Sequence, residues 1–213
     1  MREVRVEALL RRVERADVDA EVVVEDGGLV VRRMRDDDSD YGLMVEWRNR
    51  PHVWRWWDPD LPARTLESIK EEYRPDIVPG SPSTVCIIEF EGRPVGFIQF
   101  YKWASYGGEA TEVGIPFDDR SYGLDIFIGE PDRVGLGIGT RVVRLVSDYF
   151  LAEIGASSVA LTTDLDNHVA QRCYEKAGFE KVREVLDTDT YKGVRVRCWL
   201  MVKAPPNTSA RVP

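Results

Sequence analysis

Val134-Gly135-Leu136-Gly137-Ile138-Gly139-Thr140 decides how this 213-residue chain is read. The apolar run YGLDIFIGEP (122–131) precedes it and reads as a strand. TRVVRLVSDYFLAEI (140–154) follows, with Val142, Val143, Leu145, Val146 and Phe150 at helical spacing. Glycines at alternate positions let backbone N–H groups point into one concavity. The start of the helix adds a partial positive charge there. Such a loop can cradle a pyrophosphate. A plain turn with spare glycines is the alternative, because G-x-G-x-G alone is a weak signal. No Gly-Lys-Ser/Thr follows, so this is not a Walker loop. A dinucleotide fingerprint would sit in an early βαβ unit, with an acid about 20 residues on, and that pattern fits poorly.

Working outward, residues 157–163 read as a strand and NHVAQRCYEKAGF (167–179) as a helix stopped by Gly178. Strands over 180–187 and 194–202 follow. Upstream, 84–90 and 94–101 form a hairpin about Glu91-Gly92-Arg93. Thr65 opens a helix to about Tyr73, closed by Pro75 and Pro79. Asp38, Ser39 or Asp40 caps another, running to about Arg48, and Pro51 breaks it. PHVWRWWDPDLP (51–62) reads as irregular, and 102–121 as a long loop of the kind that often carries function. AEVVVEDGGLVVRRM (20–34) is a hairpin turning at Asp26-Gly27. Its first strand is assigned to an N-terminal addition and its second to the main sheet. Val6, Leu9, Leu10 and Val13 mark a short amphipathic helix over 3–15. This order is not a regular βαβα alternation, so the class is α+β (mixed αβ), one central mixed sheet flanked by helices. The expected organisation is an extension over 1–27, one domain over 28–203, and a disordered tail over 204–213.

Composition narrows the function. The chain carries 29 Lys and Arg against 37 Asp and Glu, a net charge of −8, which argues against a nucleic-acid binder. A polycationic ligand suits that balance, and so does plain solubility. No run of about 18 apolar residues spans a membrane. The N-terminus lacks the apolar core of a signal peptide, so a cytoplasmic location is expected. Cys86, Cys173 and Cys198 are far apart and odd in number, and His52 and His168 form no ligand pair. Neither disulfides nor a metal site is expected.

The glycine loop followed by N-x-x-A-x-x-x-Y-x-K-x-G-F (Asn167 to Phe179) resembles the GNAT superfamily of acetyl-CoA-dependent N-acetyltransferases. The likeness is strong over 123–179. Residues 29–101 fit by element order alone. Within that superfamily the chain is similar to the aminoglycoside 6'-N-acetyltransferases. The supporting segments are Glu46-Trp47-Arg48-Asn49-Arg50-Pro51-His52 with Trp56-Trp57, then Tyr122-Gly123-Leu124-Asp125, then Arg172 to Phe179. The family loop is written Q/R-x-x-G-x-G/A. Here Val134 takes the Gln/Arg position and Arg133 falls one residue early, so phosphate binding is expected to rest on backbone amides, with Arg133 reaching in from the side as the alternative side-chain contact.

The resemblance implies a GNAT fold, acetyl-CoA as cosubstrate, and direct attack of an amine on the thioester in a ternary complex. It assigns Ile128, Val134, Gly135, Gly137, Gly139, Thr140 and Asn167 to the cofactor. Asn167 can also cap its helix. Tyr174 is placed near the sulfur, where a phenol of pKa about 10 suits a thiolate of about 8.5. A core aromatic is the alternative. Asp125 interrupts an apolar strand and, if Leu124 and Ile126 face one way, faces the other. It is the candidate to hold and deprotonate the amine, against a carboxylate that merely faces water. Asp164, Glu112, Trp57 and Trp103 are candidate acceptor contacts. Each has a structural alternative: a turn, a solvated loop, or core packing. The expected acceptor is a small polycationic amine, an aminoglycoside bearing a 6'-amine. The protein is expected to be a monomer or homodimer, with no nucleic-acid or membrane partner. The competing readings are an acyltransferase for a siderophore lysine, polyamine or peptide, and a CoA-binding module without catalysis.

Overall fold

Alternating burial along short β-branched and aromatic runs builds one eight-stranded sheet in the computed structural model, which describes residues 22–57, 59, 61–106, 118–189 and 194–205. Its strands are β1 (Val22–Asp26), β2 (Leu29–Arg33), β3 (Ser83–Phe90), β4 (Arg93–Lys102), β5 (Ser121–Ile128), β6 (Ser158–Asp164), β7 (Glu180–Asp189) and β8 (Val194–Lys203). The order across the sheet is β1-β2-β3-β4-β5-β6-β8-β7, and every neighbouring pair is antiparallel except β5–β6. β1, which the sequence assigns to the extension, is the edge strand of this same sheet. The helix expected over 3–15 and the tail from residue 206 lie outside the described residues.

α1 (Asp38–Arg48) is capped by Asp37, whose side chain accepts the Asp40 N–H at 2.9 Å. The sequence favoured Asp38, Ser39 or Asp40. Asp40 is instead drawn into a buried ion pair with Arg32 at 2.6 Å, and Asp38 pairs with Lys70. α2 (Pro51–Trp57) replaces the irregular stretch expected there. A proline in the first turn has no N–H to lose, so Pro51 starts a helix as well as ending one. α3 (Leu66–Ile77) opens with a Thr65–Ser68 capping box and continues past the solvent-facing Pro75. α4 (Ile138–Tyr149) runs into a π-helical turn over Phe150–Ile154, and α5 (His168–Ala177) ends at Gly178 in the left-handed region.

α1–α3 cover one face of the sheet around Trp47, Phe97 and Phe127. α4 and α5 cover the other around Leu124, Val142 and Tyr174. The sheet is divided at its centre. β5 and β6 share register only at Ser121–Ser158 and Tyr122–Val159. A polar knot pins that vertex: Ser157 Oγ and the Arg120 N–H donate to Asp118 Oδ1 at 2.6 and 2.8 Å, and Ser158 Oγ donates to Ser121 Oγ at 3.2 Å. Beyond it β5 stays with β4, and β6 stays with β8. A cleft opens between the two halves. Among the described residues no helix is long and apolar enough to cross a membrane.

Candidate active site

The cleft has a volume of 760 Å³ and receives side chains from both halves of the sheet, from α2 and α3, and from α5. Leu124 is buried in the core shared with α4, and period-two alternation turns Asp125 the other way, into the cleft, whose rim Ile126 also lines. Gln99, its cross-strand neighbour on β4, donates from Nε2 to Asp125 Oδ2 at 2.9 Å. Burial pushes the Asp125 carboxyl up, the Gln99 hydrogen bond opposes this, and the charge of Asp187 adds to it; the result is about 6. A carboxylate with that pKa is a far better base near neutrality than an ordinary aspartate.

Tyr174 reaches the same cleft from α5, its ring packed against Phe179 at 6.0 Å. Burial above all, with the neighbouring Cys173 and Asp125, pushes its phenol well above the ordinary value. Tyr174 therefore stays protonated at every working pH and can donate a hydrogen bond. The same rise weakens it as an acid toward a thiolate of pKa about 8.5. Its chemistry is better matched to holding negative charge on sulfur than to complete proton transfer.

Other expected residues divide. Asp164 lines the cleft at the end of β6 while its Oδ1 accepts the Asp166 N–H at 2.7 Å, so turn and site coincide. Asn167 does the same: it lines the cleft, and its Oδ1 caps α5 through the Ala170 N–H at 3.1 Å. Trp57 forms a cleft wall, edge-on to Phe127 at 4.8 Å and to Phe97 at 5.8 Å, with the Arg48 guanidinium 5.6 Å from its ring. Trp103 is a correction. It is 3% exposed, donates from Nε1 to the Ala160 carbonyl at 3.0 Å, and packs with Val185, Cys198 and Leu200. Its indole fills the core under the β6–β8–β7 half and presents no face to the cleft. Glu112 lies outside the described residues.

Gly135 and Gly137 adopt φ of +80° and +81°, and a Cβ on either meets nothing within 4 Å. Backbone conformation, not crowding, calls for glycine at both. Gly137 caps α4 with no side-chain hydrogen bond, which leaves the first-turn N–H groups facing outward for an anion. The loop therefore fits a pyrophosphate held by backbone amides. Val134, 42% exposed, adds no polar side chain to it. Thr140 Oγ1 donates to Cys173 Sγ at 3.5 Å, tying α4 to α5 beside Gly139. Ile128 closes β5, and its carbonyl accepts from His52 Nε2 at 3.0 Å. Among the described residues no group of three or more His, Cys, Asp or Glu is placed to hold a metal ion.

The sequence reading missed Gln99, Asp187 and Glu72, all of which line the cleft. Gln99 was findable by the argument that found Asp125, since it is a polar residue inside the apolar run GFIQFY (96–101). Asp187 accepts a hydrogen bond from Thr162 Oγ1, a contact that reaches across the intervening β8 between strands that are not neighbours in the sheet. Glu72 lines the cleft but is held by Arg48 at 2.9 Å and by Arg64, so it brings little net charge.

The family described as acetyltransferase (GNAT) domain matches residues 36–186. The aminoglycoside N(6')-acetyltransferase type 1 of Klebsiella pneumoniae is 29% identical over 156 residues, 71% of this chain and 75% of that protein. The lysine N-acyltransferase MbtK of Mycobacterium tuberculosis is 26% identical over 142 residues, 66% of this chain and 64% of that protein. The solved structure of aminoglycoside acetyltransferase AAC(6')-Ib with coenzyme A and kanamycin superposes with a TM-score of 0.70 at 27% identity, covering 83% of this chain and 94% of that one.

Proposed function

We propose, from the premise that the chain belongs to the GNAT family and is an acetyl-CoA-dependent N-acetyltransferase, that its acceptor is the 6'-amine of an aminoglycoside. One observation carries the reading. The cleft where Asp125 and Tyr174 meet is lined, among the described residues, by Asp76, Asp125, Asp164 and Asp187, and by Glu72, which Arg48 and Arg64 already hold, with Arg55 as the one cationic side chain. Several ammonium groups on a compact sugar scaffold match that field. The aromatic wall at Trp57 adds a face for a cationic ring. The likeness to enzymes named for the 6' position supports the choice of amine.

Acetyl-CoA supplies the thioester acyl group. The amides from Gly135 to Thr140 bind its pyrophosphate, and Asn167 meets the arm that runs into the cleft. Asp125 holds the acceptor ammonium and takes its proton. Tyr174 Oη stabilises the sulfur as charge develops there. Asp164 and Asp187 engage further ammonium groups.

The second reading, acylation of a lysine-type amine, rests on the likeness to MbtK. CoA release across an amine panel separates the two. Turnover confined to aminoglycosides with a free 6'-amine supports the proposal. Turnover with lysine-type amines alone refutes it while leaving the family reaction intact.

A further inference from the structure

The segment Glu46–His52, one of those that carry the sequence likeness, has its contacts away from the cleft. None of its side chains lines the cleft. Three of them grip consecutive residues at the end of β5. The Trp47 indole donates from Nε1 to Glu130 Oε1 at 2.8 Å. Its ring lies so close over Gly129 that a Cβ there would come within 2.1 Å of it. Arg50 Nη1 donates to the Gly129 carbonyl at 2.9 Å and to Glu130 Oε2 at 2.8 Å. His52 Nε2 donates to the Ile128 carbonyl at 3.0 Å. From the other side, the Gly129 and Glu130 N–H groups bond the Val95 carbonyl at 2.9 and 3.1 Å. Burial works against the Glu130 charge, but the Trp47 and Arg50 hydrogen bonds outweigh it and hold the carboxyl below its usual range.

This grip falls immediately before the short turn Pro131–Arg133 and the glycine loop. That loop offers an anion its backbone amides and no side-chain cap at Gly137, so an affinity built on those amides depends on where the backbone is fixed. We propose that Trp47, Arg50 and His52 are positioning residues for acetyl-CoA: they fix the end of β5, and through it the amides that bind the pyrophosphate, without touching the cosubstrate. The inference rests on CoA binding, which the family supplies, and not on the identity of the acceptor.

The test is CoA affinity by calorimetry without acceptor, alongside thermal unfolding, for the full chain and four variants. Arg50→Met removes the Gly129 and Glu130 contacts together with the Arg50–Glu46 pair, and displacing the loop amides is expected to weaken CoA binding about tenfold. Glu130→Gln keeps an acceptor for Trp47 but loses the ion pair, and is expected to show a smaller loss. Arg50→Lys retains one donor and the charge, and is expected to recover most of the affinity. Arg74→Met removes the Arg74–Asp36 pair on α3, remote from the loop, and leaves CoA binding unchanged. Wild-type CoA affinity in Arg50→Met overturns the proposal. So does an affinity loss that simply follows the melting temperature across the variants. Should Arg50→Met not fold, Glu130→Gln and Arg50→Lys decide by the same criteria.

Discussion

Replacing Asp125 by Asn should remove activity and at the same time stabilise the protein near neutral pH. The Asp125 carboxyl stands at about 6 against an ordinary 3.8, chiefly through burial. A folded-state pKa above the unfolded one means that the folded chain binds more protons between the two values. Stability therefore falls as pH rises from about 4 to about 6, then levels off. The full rise corresponds to about 3 kcal/mol of cost for carrying the charge. Asp125 keeps part of its surface open to the cleft, and Asn brings its own amide, so about 1–2 kcal/mol is the reasonable gain. In a domain of this size that is a rise in Tm of about 3–6 °C. Thermal unfolding of the wild type and Asp125→Asn, followed from pH 4 to pH 8, measures it. The two proteins should melt together near pH 4 and diverge above pH 6. A gap that stays constant with pH, or a variant that is less stable at pH 8, would refute the argument that burial drives the shift.

The same group sets the pH profile of turnover. Activity should fall as pH drops through about 6, and Asp187→Asn should move that limb to lower pH, because Asp187 helps to hold the Asp125 carboxyl up. A limb unmoved in Asp187→Asn would show that burial alone sets it. Tyr174→Phe should lower kcat by about a hundredfold while CoA affinity, read by calorimetry, changes little. Arg32→Met leaves the Asp40 carboxylate, 0% exposed, with only Arg35 as counter-charge; urea unfolding should register a loss of about 3 kcal/mol.

Much of the site was legible because chemistry interrupts pattern. A charged residue at 125 stands out in an apolar strand, and glycines at 135 and 137 announce a turn before a helix. The motif from Asn167 to Gly178 could be read as both a capped helix and a cofactor element. What could not be read depended on partners distant in sequence. Asp187 meets Thr162 across β8, 25 residues away in sequence, and no local spacing encodes that meeting. Trp103 and Trp57 look alike in sequence. One finds a carbonyl at Ala160 and sinks into the core, while the other is propped edge-on by Phe127 and stays at the surface of the cleft. Pro51 was read as a breaker because proline stops a helix. The same residue also opens one, and the sequence alone did not say which role prevailed.

The vertex between β5 and β6 has a consequence for motion. The sheet is continuous across its centre through two register pairs and a knot of three serines about Asp118. The amides of Leu124 and Ile126 therefore lie beside a seam rather than inside an unbroken ladder. Such a seam behaves as a pivot for two half-sheets, and amide hydrogen exchange along β5 and β6 should be faster than along β3 and β4. A cosubstrate lying in the seam would act as a third tie between the halves. Its arrival should slow exchange on both strands together, including at amides it does not touch.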